Sequence, residues 1–268
     1  LEPIIREIAE GNRTNTTIRL ENLHIDTVSG SSISSVLAAM RKDYPSYFYW
    51  YYRNGLKFHT NKLEYDSSTG IIKPFDITLT VDVDYRANGS ENTLDTTQHN
   101  KAKTAIAYAT ELAGTLGAGE SDYEKLLAFK NWIVDNVDYN DDALTSSPAD
   151  GESPWQLINV FDKDPSTKVV CEGYAKAFQF LCDRTQFENN IYVYTVSGWM
   201  GTFNSLGGNN TGEAHMWNIV TMEDGNNYLV DVTNSEYGTA GFPGVQGIPG
   251  PDHVTDRGRL FLVGAEGT

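Results

Sequence analysis

The chain has 268 residues, 40% of them hydrophobic and 12% aromatic, and a formal net charge of −16. That composition suits a globular protein of one or two domains and excludes a disordered one. The acidity excludes nucleic acid and anionic membrane surfaces as partners, and no apolar run reaches the ~18–20 residues of a transmembrane helix.

The sequence opens on Leu1 and not on methionine, which suggests a processed fragment whose signal peptide or anchor has been removed. Abundant Asn, Thr, Ser, Gly and Tyr with sparse lysine point to a bacterial exported protein, extracellular or held at the cell surface. Residues 1–95 read as a small α/β region. Ile4, Ile5 and Ile8 line a short helix ending at Gly11, and residues 16–20 form a strand. Ile33, Val36, Leu37 and Met40 mark one side of a helix over residues 32–41. The aromatic run Tyr47-Phe48-Tyr49-Trp50-Tyr51-Tyr52 reads as a strand, in the core or as an exposed carbohydrate-binding platform. Asn54-Gly55 after it predicts a hairpin turn. Alternation from Ile77 to Tyr85 predicts a strand with one buried face and one wet face.

The polar stretch 86–97 predicts a boundary, with a second domain over residues 96–268. A helix over about 98–116 stops at Gly117 and Gly119, and Ser121-Asp122-Tyr123-Glu124 is a capping box for the next. Asp138, Asn140 and Asp142 imitate the start of a calcium loop. Ala143 and Ala149 stand where that loop needs glycine and glutamate, so the stretch reads as an acidic turn. Residues 140–168 form a loop or two short helices around Trp155-Gln156-Leu157.

Val169-Val170 then runs into Cys171, which opens a helix whose buried face carries Tyr174, Phe178 and Leu181. Gly173, Ala175 and Ala177 let that helix pack closely. The free N–H groups and positive dipole end of a helix N-terminus stabilise a thiolate placed there. Cys182 lies on the same helix about 16 Å away at ~1.5 Å per residue, so both cysteines are free thiols. Strands follow at 191–196, 214–222, 227–233 and 260–263, with glycine-rich loops at 205–212 and 241–250.

Taken alone, Cys171 would pass for a small buried apolar residue. The histidine and aspartate downstream argue otherwise. Glu223-Asp224-Gly225 closes a three-residue hairpin that pairs Met222 with Asn226 and, counted back, His215 with Thr233. Asp231 is then the diagonal neighbour of His215 on the same face, whereas a slip of one residue would separate them. A carboxylate in Tyr228-Leu229-Val230-Asp231-Val232 is costly unless it has a partner. Trp217 shares that face and either walls a pocket or packs in the core. Cysteine, histidine and aspartate in these settings suit acyl transfer: thiolate attack on an amide, proton delivery by imidazole, and a carboxylate orienting the ring. The Cys171 N–H is one candidate oxyanion donor, and Gln156, Trp155 or Tyr139 are candidates for the second. His24, His59, His99 and His253 carry no role. Two cysteines on one helix exclude a structural zinc site, and nothing indicates a cofactor.

Val170-Cys171-Glu172-Gly173-Tyr174-Ala175, His215-Met216-Trp217-Asn218 and Tyr228-Leu229-Val230-Asp231-Val232-Thr233, led in by Trp132-Ile133 to Tyr139, resemble the transglutaminase-like superfamily. The resemblance covers about 100–235. It implies an α+β papain/transglutaminase-like core, with a cysteine-bearing helix packed on an antiparallel sheet bearing histidine and aspartate. It also implies Cys171 as nucleophile, His215 as general acid/base, Asp231 as orienter, and a peptide or surface protein as substrate. Hydrolysis, crosslinking, and a non-catalytic surface binding module on the same fold all remain open. Asn234 departs from the aromatic residue that often follows the aspartate block.

Overall fold

The computed structural model describes residues 1–119, 121–144, 156–202, 211–235 and 260–264, and these divide into two compact units. Leu1–Thr104 make up the first, and the second begins at Ala105. Residues 86–97 do not act as a loose linker. Leu94 bridges Arg86, Thr93 bridges Asn15, and Asp95 Oδ1 caps the next helix by accepting from Thr97 and Gln98 N–H groups at 2.9 and 3.0 Å. The stretch is thereby tied into the first unit, and the division falls later, inside a helix.

In the first unit α1 (Glu2–Ala9), β1 (Thr17–Leu20), α2 (Gly30–Asp43), β2 (Tyr51–Phe58) and β3 (Phe75–Val81) precede α3 (Thr96–Leu116). The strands form an antiparallel sheet in the order β1-β3-β2. Phe48, Tyr49, Trp50 and Tyr51 are buried, so this run is core and not a platform. Only its end is strand, because Pro45–Tyr47 is a 3-10 turn. Asn54-Gly55 is not a hairpin turn either. It lies within β2, where pairing to β3 shifts register between Tyr51 and Leu56. A Cβ on Gly55 would sit 2.6 Å from Thr80 Cβ, so the glycine serves close approach inside the sheet. β3 is also shorter than its alternation predicts. Asp82 leaves it to cap a 3-10 turn over Val83–Tyr85, and Thr78 and Thr80 are buried, so the second face is not wet.

The second unit adds α4 (Asp122–Asn136), β4 (Asp138–Tyr139), α5 (Gln156–Val160), β5 (Lys168–Val169), α6 (Cys171–Asp183), β6 (Tyr192–Thr202), β7 (Thr211–Thr221), β8 (Asn227–Val230) and β9 (Phe261–Val263). The Ser121/Glu124 capping box closes as the sequence predicts. Asp122 beside it is buried and accepts the backbone N–H groups of Glu188 and Asn189 at 2.7 and 2.9 Å, pinning the connection between α6 and β6. β6-β7-β8-β9 form one antiparallel sheet, and β4 pairs in parallel with β5. The glycine-rich loop over 241–250 and most of that over 205–212 lie outside the described residues.

α6 is the centre of this unit, with nine of its thirteen residues buried. Tyr174 Oη donates to Val137 O at 3.1 Å, and Asn218 Nδ2 of β7 donates to Ala175 O at 3.0 Å. The side-chain oxygen of Gln179 accepts the Thr195 N–H of β6 at 3.0 Å. At the start of the helix a Cβ on Gly173 would lie 2.6 Å from Val169 Cβ. Gly173→Ala gains up to ~1 kcal/mol of helix propensity but overpacks that contact at a cost of ~1–3 kcal/mol. The variant should therefore unfold at lower urea concentration than wild type; an unchanged or higher midpoint would show that β5 yields freely.

Candidate active site

Cys171 is the first residue of α6, half-buried and a free thiol. The residue before it, Val170, supplies no side-chain cap. Its backbone O instead accepts the Gly173 N–H at 2.8 Å, in the first turn of the helix. Glu172 turns its carboxylate to Lys176, one helical turn on, where the two form an ion pair. The second cysteine, Cys182, is buried, and burial pushes its thiol well up.

The hairpin register is the one the sequence predicts: Asn218 pairs with Val230, Thr221 with Asn227, and the Met222 N–H meets Asn226 O at 3.0 Å. The strand does not run to Thr233, however. β8 ends at Val230, the Asp231 N–H donates to Leu260 O at 2.8 Å, and Thr233–Ser235 forms a 3-10 turn. The expected His215–Thr233 pair is thus absent, yet the side-chain pair survives. His215 Nε2 lies 2.9 Å from Asp231 Oδ2, with both side chains buried.

Cys171 also acts on this imidazole, favouring its charged form. With Nε2 committed to Asp231, Nδ1 is the ring nitrogen left for sulfur. Burial disfavours the imidazolium, but Asp231 and Cys171 together outweigh it and push His215 up to about 9. At neutral pH the ring is therefore positively charged, between a carboxylate and a sulfur.

Two further residues shape the site. Trp217 stacks on His215 with ring centroids 5.8 Å apart and planes at 21°. Its indole also lies over Gly198, where a Cβ would come within 2.5 Å of the ring. Gly198 pairs with His215 across β6 and β7, so the missing side chain on one strand seats the aromatic on the next. Asn234 donates from its side chain to Asp231 Oδ2 and from its backbone to Asp231 Oδ1 at 3.1 Å. Sequence reasoning missed this contact. The available signal was an asparagine three residues beyond a carboxylate, the spacing of a capping turn.

Of the candidate second oxyanion donors, Tyr139 lies in β4 with its ring 6.2 Å from that of Tyr174 in α6. Trp155 and the side chain of Gln156 fall outside the described residues.

A helix opened by cysteine and packed on an antiparallel sheet that carries histidine makes an α+β core of the papain and transglutaminase-like kind. Residues 110–232 match the family model of the transglutaminase-like superfamily. A solved structure described as "Crystal structure of a TGase" is similar at 16% identity over 87% of this chain and 54% of that chain, with a TM-score of 0.38. The matched region thus spans about half of that relative. A search of curated proteins gives no match.

The electrostatics carry a testable sign. A histidine raised in the folded state contributes stability that is fully present below its unfolded value of ~6.5 and is lost as pH rises through its folded value. For His215 that window runs from pH ~6.5 to about 9. Asp231→Asn removes the main counter-charge. Its stability deficit in urea unfolding should contain a pH-dependent part on the order of 2–3 kcal/mol, present at pH 6 and gone by pH ~10. A deficit that stays constant across that range would mean His215 is not held charged by Asp231.

Proposed function

We propose that this protein is a cysteine-dependent acyl-transfer enzyme acting on peptide or isopeptide amides. The observation that carries the reading is one imidazole placed between the Asp231 carboxylate at 2.9 Å and the Cys171 thiol at the start of α6. In this mechanism the Cys171 sulfur, its proton already on His215, attacks the amide carbonyl. The oxygen takes the negative charge against the Cys171 N–H at the helix start. The C–N bond then breaks, the His215 imidazolium gives its proton to the departing amine, and a thioester remains on Cys171. His215, now neutral, takes a proton from the next nucleophile. Water yields a carboxylic acid and makes the protein a protease or amide hydrolase. A lysine amine yields a new amide and makes it a crosslinking enzyme. Either route returns sulfur and imidazolium to the starting pair. Asp231 fixes the ring and balances its charge throughout.

The reading includes an extracellular or cell-surface setting and a peptide or surface protein as substrate, both supported by composition and by the family likeness. A second reading is favoured by exposed aromatics on β6, where Tyr192, Tyr194 and Trp199 are 53%, 52% and 73% exposed. Such side chains suit an adhesion module that kept the fold without turnover.

Cys171→Ala separates the two. Wild type incubated with peptide amides, with and without a primary amine, should release ammonia or amine, or incorporate the added amine. Cys171→Ala should lose that turnover by at least about 10³-fold with its fold intact. If wild type turns over no donor and both forms bind a surface protein equally, the binding module is the better account.

A further inference from the structure

Asp231 Oδ2 serves two donors at once. His215 Nε2 lies 2.9 Å from it, and Asn234 Nδ2 donates to the same atom. The two donors are themselves only 3.4 Å apart. Asp231 Oδ1 meanwhile accepts the Asn234 backbone N–H at 3.1 Å. The turn that presents Asn234 is tied back to the same residue, since Ser235 donates to Asp231 O from Oγ at 2.9 Å and from its backbone at 3.2 Å. Asn234 therefore grips both carboxylate oxygens, one through its backbone and one through its amide.

That arrangement has two physical effects. Held at both oxygens, the carboxylate is not free to turn away from His215. The amide also brings a second partial positive charge to the oxygen that balances the imidazolium, close to the ring nitrogen itself. Two like-signed N–H dipoles then compete for one oxygen, so each is held less strongly than it would be alone. The titratable groups acting on the ring are Asp231, beyond the end of β8, and Cys171, at the start of α6. From β7 itself the neighbour is the uncharged Trp217.

We propose that Asn234 is a positioning residue of the active site: its amide shares Asp231 Oδ2 with His215, orienting the carboxylate while moderating how tightly it holds the imidazolium. The inference rests on the reading of Cys171, His215 and Asp231 as one catalytic unit. Its chemical sense is that His215 must surrender its proton to the leaving amine, which an unopposed buried carboxylate would resist. A proton held somewhat less firmly is a better general acid near neutral pH.

The test is the His215 titration followed by NMR between pH 5 and 11 in wild type, Asn234→Leu, Asn234→Ala and Asp231→Asn. Asn234→Leu keeps the side-chain volume and the backbone N–H bond while deleting the amide, and Asn234→Ala serves if leucine disturbs the turn. Both should raise the His215 midpoint by about 0.5–1 pH unit, the equivalent of one modest hydrogen bond. The alkaline limb of the pH–rate profile should move to higher pH in step, with kcat falling at neutral pH and KM little changed. An unchanged or lowered midpoint in a folded variant overturns the role given to Asn234, since a residue that merely shapes the turn would not raise it. Asp231→Asn tells this failure from a deeper one. If its midpoint also matches wild type, the Asp231–His215 coupling itself is wrong, and the proposed function loses its support.

Discussion

The second unit depends on one constraint: α6 must be held rigidly enough that its first residue stays at a fixed place against the sheet. A helix N-terminus offers a thiolate only partial charges, and these act over the length of about one turn. The sulfur also needs a charged partner at hydrogen-bonding range, and that partner comes from a different element. The structure meets this by locking α6 along its length. Val169 packs against the bare Cα of Gly173, Tyr174 is tied to Val137, Ala175 O takes Asn218, and Gln179 takes the Thr195 N–H. Asn218 lies three residues from His215, so the strand that docks on the helix is also the one that carries the imidazole.

Burial and charge act together at the other end of the site. An imidazole this deep would ordinarily lose its proton, because desolvation favours the neutral ring. Asp231 reverses that, while donors from the turn that follows β8 hold its own oxygens in place. That turn exists because the strand stops early. Had β8 continued to Thr233, the backbone N–H of Asn234 would point along the sheet and not back at the carboxylate. The irregularity is therefore part of how the pair is built.

Much of this was legible in the sequence, and the reasons differ from residue to residue. The Ser121/Glu124 box, the register set by Glu223-Asp224-Gly225 and the small buried residues of α6 all follow from local rules with little room for alternatives. The His215–Asp231 contact was predicted through pairing carried three residues too far, and it survived because the departing chain keeps Asp231 within reach of the ring. Other features were hidden for tertiary reasons. Asn54-Gly55 has the composition of a turn, but Thr80 on the neighbouring strand needs a residue without a side chain there. Thr78 and Thr80 look like a wet face, yet they are covered. Thr78 Oγ1 is bonded to Thr17 Oγ1 at 2.9 Å and His59 Nε2 at 2.8 Å, contacts that no period-two pattern contains. The contact of Asn234 with Asp231 escaped notice because it exists only once the strand has ended.

The most direct test of the central claim, a sulfur and an imidazole poised as an ion pair, is the pH dependence of iodoacetamide alkylation resolved by peptide. Cys182 on the same helix provides the internal control. The account predicts that Cys171 reacts rapidly at pH 6, where Cys182 is inert, and that His215→Ala abolishes this low-pH reactivity. If Cys171 instead reacts only in alkaline solution, or reacts equally in wild type and His215→Ala, the two groups do not form the pair on which the proposed chemistry rests.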